Sequence, residues 1–521
     1  MKRTVIALML LASCMTAMFS FSATAKADTA VGPTAPTWYF AEGRVGGGFR
    51  QWLTIGNPNA SDCTVNIQYN FTLDRGGSDI KKVTVHVDRM SRHTQYVNND
   101  LGIAQYDIDA ATLSAVVSTS DCTGITVERP MYFNQFHGAS SGTDVFGATA
   151  PDTVWYFADV PRSSAGESFL AVLNPNNTDA TVKVSYFVGG ATPLAETKTV
   201  AANSRNTFFP NDLVTTHQHI AVKVESTNGV PIVVERPTYY INTNGVSGSA
   251  DVMGVLDPRS QWIFAAGTTA ESNHEDIVIS NPSDAGDINV SIELISGSGA
   301  THINTLGLIP ANGQIIYDVS ANNSFAGHTD EVAAIVTGSA PFLAQRVVYS
   351  SYSGSNKGSS GWTSQGVSAS SGVANVNGKP DPEIPDASTF ALPQSYSFGE
   401  GFTSVDFNEW MMLVNPTDTD ESISIQLVNM LGESDTATVP VPAHSRYSFN
   451  ATSFVENSHT FSLSNVKAYA VSATVTGNGP FVAERVMYWN AFSTEGTSAV
   501  PGYAPTPGPI EVTAPTVTAT P

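Results

Sequence analysis

Trp38-Tyr39-Phe40-Ala41-Glu42-Gly43, with Asn57-Pro58 standing 19 residues after the first aromatic, is the stretch on which the reading of this chain turns. It returns as Trp155-Tyr156-Phe157-Ala158-Asp159 with Asn174-Pro175, and as Trp262-Ile263-Phe264-Ala265-Ala266-Gly267 with Asn281-Pro282. A fourth copy reads Tyr396-Ser397-Phe398-Gly399-Glu400-Gly401 with Asn415-Pro416. One spacing held four times marks an internal repeat. Downstream come Ser91-Arg92, Ser204-Arg205 and Ser445-Arg446, with Gly313-Gln314 at that place in the third copy. Then come Glu128-Arg129, Glu235-Arg236, Gln345-Arg346 and Glu484-Arg485. A tyrosine follows three residues after each of these arginines: Tyr132, Tyr239, Tyr349 and Tyr488.

Within each copy the apolar period is two. Val83, Val85 and Val87 alternate with Thr84 and His86, and Ile423, Ile425 and Leu427 with Ser424 and Gln426. Such alternation predicts half-buried strands, and the Asn-Pro pairs predict turns between them. About seven short strands per copy predict an all-β chain of tandem immunoglobulin-like β-sandwich domains. The copies are far longer than the ~40–50 residues of a propeller blade. The boundaries follow: repeats at 37–148, 149–255, 256–350 and 394–502, a Ser/Gly/Pro-rich linker at 351–393, and a Pro/Thr-rich tail at 503–521. Units of about 110 residues are each expected to fold alone, with the linker freeing the fourth.

The motif set resembles that of large exported bacterial proteins with tandem Trp-Tyr-Phe-Ala-Glu-Gly, Asn-Pro and Glu-Arg-Pro-Met-Tyr repeats, over about residues 37–350 and 394–502. That family is largely uncharacterised, so the resemblance implies export and says little of function. More loosely the units look like bacterial cell-adhesion-related sandwich domains.

Residues 1–27 read as a signal peptide: basic Lys2 and Arg3, apolar Thr4 to Leu11, and Ala25-Lys26-Ala27 before a cleavage at Asp28. Leu11-Ala12-Ser13-Cys14 also fits a lipoprotein box, so a lipid anchor at Cys14 is the alternative to simple secretion. No later stretch is long and apolar enough for a transmembrane helix. Of three cysteines, Cys63 and Cys122 remain after cleavage, and export favours a disulfide between them. In the expected sandwich both fall at one end of the first repeat. The chain carries 24 Lys plus Arg against 46 Asp plus Glu, a net charge of −22. Such a charge repels phosphate backbones and argues against nucleic acid as a partner.

Chemistry is sparse. Gly138-Ala139-Ser140-Ser141-Gly142 matches a nucleophile elbow but lies in an all-β unit without the strand-to-helix setting that motif needs. His217-Gln218-His219 puts two imidazoles on one strand face with no third metal ligand in view. Asp107 and Asp109 read as a solvated loop, and Gly46-Gly47-Gly48 lacks the lysine and helix of a phosphate cradle. Glu42 and Glu128 are a conceivable glycosidase pair, but the third copy has Ala266 and Gln345 there. No catalytic residue, cofactor or metal is therefore expected.

The charged repeats have a structural reading. Arg92/Glu128, Arg205/Glu235 and Arg446/Glu484 become Gln314/Gln345 together in copy three, which suggests cross-strand ion pairs within each sandwich. Arg129, Arg236, Arg346 and Arg485 persist in all copies and are expected to be buried, bonding backbone carbonyls as well as carboxylates. On that reading, loss of Arg236 destabilises an isolated second unit by about 2–4 kcal/mol. Trp38, Trp155 and Trp262 read as core in preference to sugar platforms, while Trp362 and Trp489 have no evident role. The expected function is a non-catalytic, exported structural or adhesion protein of the cell surface; the sequence does not identify its partners, for which surface glycans and other surface proteins are the candidates. The alternatives are a carbohydrate-binding array and a hydrolase of unrecognised type.

Overall fold

A computed structural model describes residues 33–504 apart from 137, 163–165, 216–218, 244–245, 270–272, 298, 300, 322–330, 353–357, 368–369, 372–389, 464 and 492–493. The signal segment 1–27, Cys14, His217, most of the linker and nearly all of the tail lie outside the described residues.

The first repeat shows how the alternation becomes a sandwich. Its strands are β1 (Thr37–Phe40), β2 (Arg44–Val45), β3 (Phe49–Asn57), β4 (Cys63–Leu73), β5 (Ser78–Val87), β6 (Ser91–Tyr96), β7 (Ala111–Thr119), β8 (Thr126–Glu128), β9 (Met131–Phe136) and β10 (Ala139–Thr143). One antiparallel sheet runs β1-β7-β4-β5 and the other β10-β9-β3-β6, with β8 also on β3. On β4, Cys63, Val65, Ile67 and Tyr69 point inward and Thr64 and Asn66 outward, so a period of two puts every second side chain into the core. The second and fourth repeats have the same strand order, and the third fuses its two sheets through one long strand, Val332–Tyr352.

The all-β, antiparallel sandwich is as expected, but the strand order is not that of an immunoglobulin constant domain. There, strands one, two, four and five share a sheet. Here the first and fourth strands lie with the third and sixth. The seventh (β8 and β9) pairs with the second (β3) and turns into an eighth, β10.

Two motifs now have physical reasons. The lead aromatic is core: the indole N–H of Trp38, Trp155 and Trp262 donates to a carbonyl of Ile125, Ile232 and Phe342, and the Tyr396 hydroxyl donates to Phe481. The Asn of Asn-Pro is a clamp. Asn57 donates to Ser61, Val87 and Asp88 carbonyls, and Asn174, Asn281 and Asn415 repeat the arrangement. One buried amide thereby ties the turn after one strand to the turn before another, satisfying carbonyls that would otherwise be buried without partners.

Cys63 and Cys122 form the expected disulfide, closing a separation of 59 residues. Reduction is expected to cost the first repeat about 4 kcal/mol by the chain-entropy relation, leaving the cysteine-free repeats unchanged. Hydrogen exchange resolved by repeat checks this, and loss of protection spread evenly over all four would contradict it.

Two boundaries shift. Gly358–Ser364, assigned to the linker, is the eighth strand of the third repeat and pairs with Arg346–Tyr352. Trp362 is buried on it, in the apolar cluster between the third and fourth repeats. After the eighth strand each repeat returns to its lead strand, in the bridges Tyr39–Ala148, Tyr156–Val255, Ile263–Val367 and Ser397–Tyr503. The third repeat therefore reaches Val367, and Tyr503, assigned to the tail, belongs to the fourth.

The repeats are not beads on a string. The eighth strands β10, Val246–Met253, Gly358–Ser364 and Thr494–Pro501 contact one another in cyclic order, the last returning to the first. Beside four sandwich cores there are four apolar clusters between repeats: Phe133 with Tyr239, Tyr240 with Tyr349, Ile263 with Val486, and Tyr132 with Trp489. The fourth repeat is thus docked on both the third and the first, contrary to the expectation that the linker frees it. Head-to-tail contacts of this kind close into a ring when the rotation per unit allows it. All four repeats line an axial cavity of about 230 Å³ through Phe146, Met253, Gln365 and Tyr503.

Candidate functional site

The recurring charged residues all lie in the seams between repeats. Arg129, Arg236, Arg346 and Arg485 are fully buried. In three copies a guanidinium nitrogen donates to the carbonyl of the lead-motif acid of its own repeat: Arg129 to Glu42, Arg236 to Asp159 at 2.8 Å, and Arg485 to Glu400. The remaining donors face the next repeat. Arg129 pairs with Glu235 at 2.9 Å and with Asp251; Arg485 pairs with Glu128 at 2.8 Å and with Asp144. Arg346 holds Glu275 of its own sandwich at 2.9 Å and lies 3.7 Å from Glu484 of the fourth repeat.

The Glu before each arginine works in the opposite direction. Glu235 accepts from the backbone N–H of Ala41 and Glu42, Glu128 from Gly399 and Glu400, and Glu484 from Ala266. The Ser-Arg arginines face the same way: Arg205 pairs with Glu42 at 2.6 Å, Arg92 with Glu400 at 2.8 Å, and Arg446 with Glu331. In the third repeat Gln314 instead donates to the Ala158 carbonyl at 2.8 Å.

The pairs Arg92/Glu128, Arg205/Glu235 and Arg446/Glu484 are therefore not cross-strand ion pairs inside one sandwich. Both members sit on strands flanking the same central strand and both face the preceding repeat. Gln314 and Gln345 are neutral together because they belong to one seam, between the second and third repeats. There Thr363 also occupies the place that Asp144 and Asp251 hold in the first two repeats. Arg236 keeps its carbonyl bond, and the Asp159 carboxylate lies 3.1 Å from His219 Nδ1 and holds that imidazole's pKa up.

Burial shapes the titration of these carboxyls. Desolvation pushes Glu275 up to about 7 and Glu409, whose two oxygens have no hydrogen-bond partner, up to about 8. Desolvation and a second nearby carboxylate hold Asp144 and Asp251 well above the usual range. Arg129 and Arg485 are held above the ordinary guanidinium value because the carboxylates around them outweigh desolvation. Arg446, with a half-exposed partner, is pulled down by burial.

The sites considered for catalysis separate. Ser140 Oγ donates to Asn134 Oδ1 at 2.7 Å and accepts from the Gln135 N–H at 3.0 Å, which makes it part of a hairpin turn. Glu42 and Glu128 belong to one repeat but face opposite seams, so they do not converge on one substrate. Asp109 pairs with Arg75, and Asp107 accepts from Ala104 N–H in an exposed loop. Gly46, Gly47 and Gly48 all have positive φ, and a Cβ on Gly48 would stand 2.5 Å from the Asn134 carbonyl, so they serve a tight turn.

Two features have no counterpart in the sequence reading. His274, Asp276 and Asp318 bring potential ligand atoms within 4.8 Å of one another, with Asp276 directly opposite Asp318 on paired strands; the His-x-Asp alternation was the available signal. The second is a cleft of about 880 Å³ at the seam of the fourth and first repeats, walled by Trp52 and Tyr132 on one side and Phe402, Phe407, Leu463 and Tyr469 on the other. Its walls lie more than 250 residues apart in the chain, and no local signal joins them.

No family model matches the chain, and no curated protein does. Among solved structures, Thermotoga maritima 1070 is similar at 13% identity over 22% of this chain and 98% of that one, with a TM-score of 0.19. A tetra-tandem repeat in the extending region of a large adhesion protein is similar at 9% identity over 86% of this chain and 97% of that one, with a TM-score of 0.11. At these scores neither likeness carries an argument. Among the described residues no helix is long and apolar enough to cross a membrane.

Proposed function

We propose that this is an exported, non-catalytic protein whose four repeats form one rigid ring serving a structural or adhesive role at the cell surface. The observation that supports this most is the use of the repeated charged residues. They are spent on joining repeats, with their donors and acceptors turned to neighbouring units and away from solvent. A closed ring presents four sets of loops at fixed angles, which suits a scaffold or an attachment module better than a flexible tether. The disulfide and the acidic surface accord with an extracellular setting.

The test has two parts. Surface biotinylation of intact cells should label the protein, and small-angle scattering of the purified chain should give the compact, ring-shaped profile. Protein retained inside the cell, or a profile of four separately moving domains, would overturn the proposal.

A further inference from the structure

The seam between the fourth and first repeats leaves space. The residue five before the Asn of Asn-Pro lies at the seam with the preceding repeat in each copy: Trp52, Phe169, Asp276 and Trp410. Phe169 is covered by Phe209 and Tyr239, and Trp410 packs into the apolar cluster between the third and fourth repeats. Trp52 instead lines the cleft of about 880 Å³. That volume lies within the range of small-ligand sites, roughly 300–1,000 Å³.

The aromatic walls are preset. Trp52 stacks on Tyr96 with centroids 4.9 Å apart and meets Tyr132 edge-on at 5.7 Å. Across the cleft, Phe402 packs on Phe407 at 5.0 Å, and the Tyr469 hydroxyl donates to the Leu463 carbonyl at 2.8 Å. Between and around these rings stand the hydroxyls of Thr94 and Ser404 and the charged groups of Asp406, Glu456 and Lys467, the last three exposed.

We propose that this cleft binds a neutral oligosaccharide. A pyranose ring has an apolar C–H face and a hydroxylated edge, and the cleft offers flat rings for the first and carboxylates, an ammonium and hydroxyls for the second. A wholly apolar guest would strip water from those polar groups without replacing their hydrogen bonds. An anionic guest would meet Asp406 and Glu456 on a chain of net charge −22. The inference rests on the ring proposed above, because the two walls come from the first and last repeats.

The test uses the full chain. Scattering without ligand first establishes that the ring is closed. Calorimetry then compares cellotetraose, maltotetraose, mannotetraose and tetra-N-acetylchitotetraose with tetragalacturonate as an anionic probe and N-phenyl-1-naphthylamine as an apolar one. At least one neutral tetrasaccharide should bind. Trp52→Ala should weaken it about tenfold or more through loss of ring stacking. Glu456→Ala, at an exposed helix position, should weaken it severalfold with an unchanged melting curve. Binding of only the naphthylamine or the galacturonate would overturn the proposal. So would the absence of binding to a closed ring, or neutral-sugar binding indifferent to both substitutions. An open ring in the ligand-free scattering sinks the ring reading and this cleft with it, and is distinguished by being seen before any ligand is added.

Discussion

Arg485→Ala is expected to destabilise the full chain by about 3–5 kcal/mol, the range for removing one partner of a buried charge network. The guanidinium bridges Glu128 and Asp144 of the first repeat and the Glu400 carbonyl of the fourth, with Glu409 close by. Without it, Glu128 and Asp144 lose the guanidinium they are paired with, and the seam they occupy is the one that no covalent connection holds together. The loss should therefore show twice, in the denaturation midpoint and in an opened scattering profile. The same substitution at Arg236 is the internal comparison. Across its seam Gln345 and Thr363 stand at the places of the pairing carboxylates, and among the described residues Arg236 makes no ion pair, so Arg236→Ala should cost about 1–2 kcal/mol in the full chain, nearer the value of a lost hydrogen bond. This also corrects the expected effect in an isolated second unit, since Arg236 faces the third repeat and would be hydrated without it. Equal losses at the two positions would contradict the assignment of the carboxylates to the seams.

Glu409→Gln is expected to stabilise the protein at alkaline pH and to leave it unchanged in acid. The folded-state pKa of Glu409 is raised from an ordinary 4.5 to about 8. A raised pKa means that the folded state binds the proton more tightly, so stability is fully present below about 4.5 and is lost as pH rises towards about 8. Arg485 already has Glu128 and Asp144, so a third ionised carboxylate in the same dry seam gains little and loses its hydration. An amide there mimics the protonated acid. Each tenfold change in proton affinity is worth roughly 1.4 kcal/mol, and relaxation of the seam around the charge returns part of it, so the gain at pH 9 should be about 2–4 kcal/mol. Glu275, raised to about 7, adds a smaller decline over about pH 4.5 to 7. Melting curves of the parent and Glu409→Gln at pH 4.5 and pH 9 check the sign; a variant less stable at pH 9 would refute it.

The motif residues are legible by their recurrence, but their partners are not. Arg92 and Glu128 lie in one repeat and change with their counterparts as a pair, which makes them look like partners of each other. Each instead bonds the fourth repeat, more than 250 positions away: Arg92 the Glu400 carboxylate, and Glu128 the Gly399 and Glu400 N–H groups and Arg485. Recurring motifs make this ambiguity unavoidable: an arginine of one copy has an equivalent acid in more than one other, and sequence spacing does not say which copy lies beside it. The linker misleads for a related reason. Gly358–Ser364 pairs with Arg346–Tyr352 and packs against the eighth strands of the second and fourth repeats, yet its Gly- and Ser-rich composition is the same one that marks a flexible tether.

By itself the sequence determined what depends on neighbours along the chain: the period of two that makes strands, the turns at Asn-Pro, the fourfold repetition, and a cysteine pair brought together by one sandwich. Those follow from local sterics and from burial of one face of each strand. Only the tertiary structure decided that the first and seventh strands take places other than those of an immunoglobulin sandwich, that the fourth repeat returns to the first, and that an aromatic cleft opens where they meet. The last two depend on the rotation accumulated over four head-to-tail seams, a sum over many side-chain contacts that no single stretch of residues encodes.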